Sequence, residues 1–135
     1  MDRRTVCGLL PAFCLLFVPA CQKPVVRAQG EEGIAATYSR PTLSARLPAG
    51  TRVPAVIAAA DDTMRARGYS VQATGATEEA GTVEARPPRT TDWPKVEVRA
   101  TAVADTTLVE ISVSPWGDQE LSRSLLDGIL RRLGL

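Results

Sequence analysis

The chain has 135 residues, with 16 basic and 15 acidic side chains, a formal net charge of +1 and no histidine. So even a balance gives no electrostatic reason to expect nucleic acid as a partner. Without histidine, Ser-His-Asp and Cys-His nucleophiles are excluded, and the commonest general base and metal ligand is missing.

The first element is an export segment. Arg3 and Arg4 form a positive start, Val6 to Ala20 is an uncharged apolar run, and Val18-Pro19-Ala20 leads directly into Cys21. That run is shorter than the roughly 20 residues a bilayer-spanning helix needs. The arrangement resembles the signal of bacterial lipoproteins. The resemblance implies that residues 1–20 are a lipoprotein signal peptide and that Cys21 becomes the first mature residue. Its thiol would carry a diacylglyceryl group, and its amine would be open to acylation by a fatty acid such as palmitate. A thiol is the side chain best suited to that attack at neutral pH. Ala20 matches the small residue of the pattern, whereas Val18 and Pro19 depart from its commoner choices. An ordinary secretory signal, cut elsewhere, is the other reading of the same residues.

Cys7 and Cys14 fall inside the removed segment, so the domain downstream has no cysteine and no internal disulfide. Loss of Asp2, Arg3 and Arg4 leaves 14 basic and 14 acidic residues, a neutral exported chain. The expected partner is therefore a lipid bilayer reached through acylated Cys21, since two or more acyl chains anchor a protein stably without help from its surface. Gln22 occupies the position where Asp would signal retention in the inner membrane. The expected location is thus exported and membrane-anchored, at the cell outer membrane and facing the periplasm.

From Gln22 to Thr37 the chain is polar, contains Gly30-Glu31-Glu32-Gly33 and lacks apolar periodicity, which predicts a flexible tether. Residues 21–37 are accordingly read as lipidated N-terminus and tether, and residues 38–135 as one small domain. A short strand is predicted at Leu43 to Leu47. A helix follows from Val53 to Arg67, with Pro54 in its first turn, Val53, Ile57, Ala60 and Met64 on one stripe, and Gly68 as its stop. Period-two alternation then marks strands around Val71 and Val83, with Glu78 and Glu79 at the intervening turn. It marks two more through Val96–Ala102 and Val109–Val113. Asp118 is placed to cap a last helix whose Leu121, Leu125, Leu126, Ile129, Leu130 and Leu133 form an apolar stripe. Arg123, Asp127 and Arg131 are predicted to stay wet, Asp127 pairing with Arg131, and Gly128 to bring the helix close to the sheet. The fold class is α+β, an antiparallel sheet of about five strands with two helices packed on one face, in the order β-α-β-β-β-β-α.

Gly81-Thr82-Val83-Glu84-Ala85, together with Gly117-Asp118-Gln119-Glu120-Leu121-Ser122 and Leu125-Leu126-Asp127, resemble a group of short bacterial lipoproteins with a small α+β domain of unassigned function. In that group Gly-Asp-x-x-x-Ser opens the carboxyl-terminal helix, as Gly117, Asp118 and Ser122 do here. The resemblance implies a periplasm-facing accessory protein and carries over no catalytic residue.

Catalytic, cofactor and metal residues are therefore expected to be none. Asp61 and Asp62 are adjacent on a helix and diverge by about 100°; Glu78 and Glu79 sit on a turn; no glycine loop suits a phosphate. Trp93 and Trp116 remain, each in a loop beside a proline. They either cap the ends of the sheet or form a recognition surface for an envelope partner, tryptophan being an efficient interface anchor. A further candidate surface is the uncovered sheet face carrying Gln72, Glu84, Arg86, Lys95, Glu97, Arg99 and Glu110. The function expected is a non-enzymatic accessory or binding module tethered to a membrane. The alternatives are a peripheral subunit of a secretion, transport or envelope-maintenance complex, and a histidine-free enzyme.

Overall fold

The structure, a computed structural model, describes residues 23–89 and 93–135. In chain order the elements are β1 (Val25–Gln29), β2 (Ile34–Ser39), β3 (Thr42–Arg46), α1 (Val53–Ala66), β4 (Ser70–Ala76), β5 (Ala80–Arg86), β6 (Lys95–Val103), β7 (Thr106–Ser114) and α2 (Gln119–Leu133). All strands belong to one antiparallel sheet, ordered β1-β2-β3-β7-β6-β5-β4. Helix α1 packs on β4, β5 and β6, and α2 packs on β3, β7 and β1. An α+β antiparallel fold with two helices on one face is as expected.

The strand count and order differ from the expectation. The sheet has seven strands, because the stretch read as tether folds into the β1–β2 hairpin. Ile34, Ala36 and Tyr38 of β2 are buried in the common core, so the domain starts before residue 38. Gly30-Glu31-Glu32-Gly33 is thus a hairpin turn, with both glycines at positive φ, rather than a linker. β1 escaped detection because it buries little: Val25 and Val26 both remain exposed on this edge strand.

Strict alternation builds the sheet's centre. Val96, Val98 and Ala100 of β6 and Val109, Ile111 and Val113 of β7 face the helices, and the pair runs in unbroken register from Lys95↔Ser114 to Val103↔Thr106. Leu125, Leu126, Ile129 and Leu130 of α2 and Val53, Val56, Ala60 and Met64 of α1 complete the core. At about 25 cal/mol per Å² of apolar surface, each fully buried Leu or Ile contributes roughly 1.5–3 kcal/mol.

Gly128 brings α2 close to α1, not to the sheet. A β-carbon there would lie 2.8 Å from Thr63 Cγ2 and 3.2 Å from Arg67 Nη2. Across this contact Arg67 donates to the Ser124 carbonyl at 2.6 Å. Arg123 also departs from its expected wet position. It is only 4% exposed and lies under the hairpin, where Nη2 donates to the Val25 carbonyl at 3.0 Å. Its Nη1 reaches to 3.5 Å from the Ala36 carbonyl. The aliphatic stem covers apolar surface while the guanidinium serves strand carbonyls, which is how a long cationic side chain can close the rim of a small core. Asp127 accepts the Gly30 amide at 3.2 Å instead of pairing with Arg131, tying the first hairpin turn to α2.

The registers sort the connections into two groups. At one end of the sheet lie the start of β1, the β2–β3 turn, the α1–β4 turn, the β5–β6 loop and the β7–α2 connection. At the other lie the β1–β2, β4–β5 and β6–β7 turns and the β3–α1 connection. The first group is the entry end, since the chain arrives there at Lys23.

Substitution Gly128→Val is expected to force the helices apart and to lower stability by about 2 kcal/mol, within the range for overpacking. Urea denaturation with circular dichroism reads this directly. Arg123→Ala should cost about 1–3 kcal/mol through lost cover and unsatisfied carbonyls, and hydrogen exchange should accelerate first at β1 amides.

Candidate interaction surface

The β7–α2 connection is built by the motif noted in the sequence. Asp118 caps α2 by accepting the Leu121 amide at 2.9 Å, and the buried Ser122 hydroxyl donates back to the Asp118 carbonyl at 2.7 Å. Gly117 has φ +77°, and a β-carbon there would fall 2.5 Å from Tyr38 Oη and 2.9 Å from Pro41 Cα. Gly-Asp-x-x-x-Ser is therefore a joint between the last strand, the last helix and the β2–β3 turn. Its chemistry is that of a cap, and it follows Trp116 directly in the chain.

Trp116 is 78% exposed and Trp93 59% exposed. Neither serves as a lid on the core. The pairing Lys95↔Ser114 sets Trp93-Pro94 beside Pro115-Trp116 at the entry end. Trp93, Pro94, Pro115, Trp116 and Gly117, with the helix-capping Asp118 at their edge, line a shallow groove of about 640 Å³. Two residues that are far apart in sequence are thus brought onto one apolar patch. Tyr69 behaves differently: it packs partly buried against the core, and that burial holds its phenol above the ordinary tyrosine range.

A second recess of about 330 Å³ lies at the same end, lined by Lys23, Val25, Tyr38, Ser39, Arg40 and Gln119. Its polar walls include two cations and the first residue of α2, so it favours negative charge. This recess is not legible in the sequence, because Lys23 falls in a stretch whose composition is that of a tether.

The open sheet face is self-neutralising. Lys95 pairs with Glu84 at 2.9 Å, Arg99 with Glu97 at 2.7 Å, and Thr42 and Ser112 share a hydrogen bond of 2.8 Å. Half-exposed pairs of this kind are worth little in energy, but they leave few charges seeking a partner. The carboxylates singled out earlier also have local roles: Asp61 holds Arg65 at 2.9 Å, and Glu78 holds Arg52. Among the described residues no three His, Cys, Asp or Glu side chains come together as a metal would require, and no helix is long and apolar enough to cross a membrane. Cys21 lies outside the described residues.

No protein-family model matches this chain, and neither does any curated protein.

Because both indoles stand in solvent, replacing Trp93 and Trp116 together by Ala should change folding stability by no more than about 0.5 kcal/mol. A buried tryptophan would cost roughly 3–5 kcal/mol. Urea unfolding followed by circular dichroism separates the two, and a large loss would return these residues to a packing role.

Proposed function

We propose that this protein is an envelope lipoprotein, a non-enzymatic accessory or binding module held to a membrane by an acylated Cys21 and facing the periplasm from the outer membrane. The observation that carries the reading is the uncharged run Val6–Ala20 behind Arg3-Arg4, closed by a small residue and a cysteine. Downstream of Cys21 the chain has no other thiol, so acylation would remove the one free thiol exposed to an oxidising compartment.

The folded domain supports binding over catalysis. Several of its acidic side chains cap a helix, hold cations or accept a backbone amide, while its large exposed apolar side chains include two tryptophans on one groove. An accessory role needs a presented surface and a fixed location, and the groove and the anchor would supply these.

Mass spectrometry of the native protein should find a mature chain beginning at Cys21 and carrying acyl groups. Cys21→Ala should abolish labelling by a clickable fatty acid and leave the precursor unprocessed or the domain soluble. An inhibitor of the lipoprotein signal peptidase should make the longer precursor accumulate. A native amino terminus that is unmodified, or that starts elsewhere, would defeat the proposal.

A further inference from the structure

We infer that the entry end of the domain, carrying Trp93 and Trp116, rests on the surface of the anchoring bilayer, with the indoles in the interfacial layer and Lys23, Arg40 and Arg89 against anionic lipid headgroups. The inference rests on the lipoprotein reading above and extends it from an attachment point to an orientation.

The first argument is reach. Only Gln22, Lys23 and Pro24 separate Cys21 from β1. Four residue steps span at most about 14 Å when fully extended. A seventeen-residue tether would let the domain stand well clear of the membrane, but strand formation from Val25 onward removes that freedom. Whatever surrounds Val25 must lie beside the headgroups.

The second argument is position. Val25 starts β1 at the entry end, and the tryptophan loops lie at that same end, on β7 and β6. Those strands are three and four places along the sheet from β1, about 14–19 Å at the usual strand spacing. Anchor and indoles can therefore meet one plane together when the strands stand across it. Tryptophan favours the membrane–water interface, because its ring is apolar and its N–H still finds a partner there.

The third argument is charge. The connections at the entry end and the first turn of α2 carry Lys23, Arg40, Arg67 and Arg89, against Glu120, which stands 3.9 Å from Arg27, Asp118, which is engaged as a helix cap, and Asp92, which lies outside the described residues. The turns at the opposite end carry Glu31, Glu32, Glu78, Glu79 and Asp105, with Arg52 held by Glu78 and with Arg131 and Arg132 in the last turn of α2. A neutral chain is thus polarised along its strands. A negative surface attracts the entry end, and the recess between Lys23 and Arg40 can receive a phosphate headgroup. A protein partner would be served equally well by the tryptophans, but it would not account for the coincidence of anchor, basic residues and indoles at one end.

The test uses the native mature protein reconstituted in vesicles of phosphatidylethanolamine and phosphatidylglycerol that carry bromine on their acyl chains. The chain has two tryptophans, so Trp93→Phe and Trp116→Phe each leave a single reporter. The expected result is loss of roughly half or more of the emission from each reporter, with a shift to shorter wavelength and protection from acrylamide, as indoles in the interfacial layer require. Arg40→Glu with Arg89→Glu should restore much of the emission without releasing the protein from the vesicles. If the protein sediments with vesicles while both indoles stay unquenched and open to acrylamide, the orientation is wrong and the anchor stands. Indoles protected in cells but exposed on vesicles would assign the groove to a protein and overturn the inference as well. A native protein without acyl groups on Cys21 would remove the lipoprotein reading itself, a failure seen by mass spectrometry independently of fluorescence.

Discussion

Two helices must cover a sheet that is wider than they are. Seven strands at the usual spacing span about 29 Å between the outer axes, whereas two helices packed side by side shield roughly 20 Å. This mismatch explains most of what is unusual in the molecule. The central strands β7 and β6 are dry on the helix side, while β4 and β1 are each exposed along most of their length. Close approach of α1 to α2 at Gly128 keeps the middle sealed but narrows the cover further. The outer strands are then finished by other means: Arg123 reaches beneath β1, Asp127 ties down the hairpin turn, and β4 carries a bulge that disturbs a flat edge.

How much of this could be read from the residues follows the same division. Strands and helices at the centre have one wet and one dry face, so Val96–Ala102, Val109–Val113 and the stripes of both helices announce themselves by period. The outer hairpin does not. β1 reads Val-Val-Arg-Ala-Gln with no dry face to alternate against, and β2 fills its buried side partly with Ala36, a residue that signals neither state strongly. Gly30-Glu31-Glu32-Gly33 has the composition of a linker and equally that of a turn, and only pairing decides between them. Arg123 was unreadable for a related reason: a cation on a helix is ordinarily solvated, and only the narrow cover drives this one inside.

The tryptophans were legible as residues but not as a site. Their loops are separated by β6 and β7, and the register of that pair decides whether they meet. Composition likewise concealed the charge arrangement. Equal numbers of acids and bases describe a neutral chain, yet antiparallel topology gathers turns into two groups, so the ends can differ in sign while the sum stays near zero. A net charge argues about solubility and long-range steering; the distribution set by topology argues about which way a molecule faces.

The opposite locations of the two chain ends bear on how this molecule could be handed to something else. Lys23, the first described residue, lies at one pole, while Leu135 lies at the other, its amide bonded to the Leu130 carbonyl at 3.0 Å, close against Gly30. Anything grafted after Leu135 would thus emerge on the acidic side, about the length of a nine-residue strand, some 30 Å, from the point of entry. Such a passenger would leave the aromatic pole unobstructed, whereas cargo inserted before Val25 would crowd it, so the carboxyl terminus is the permissive site for a reporter.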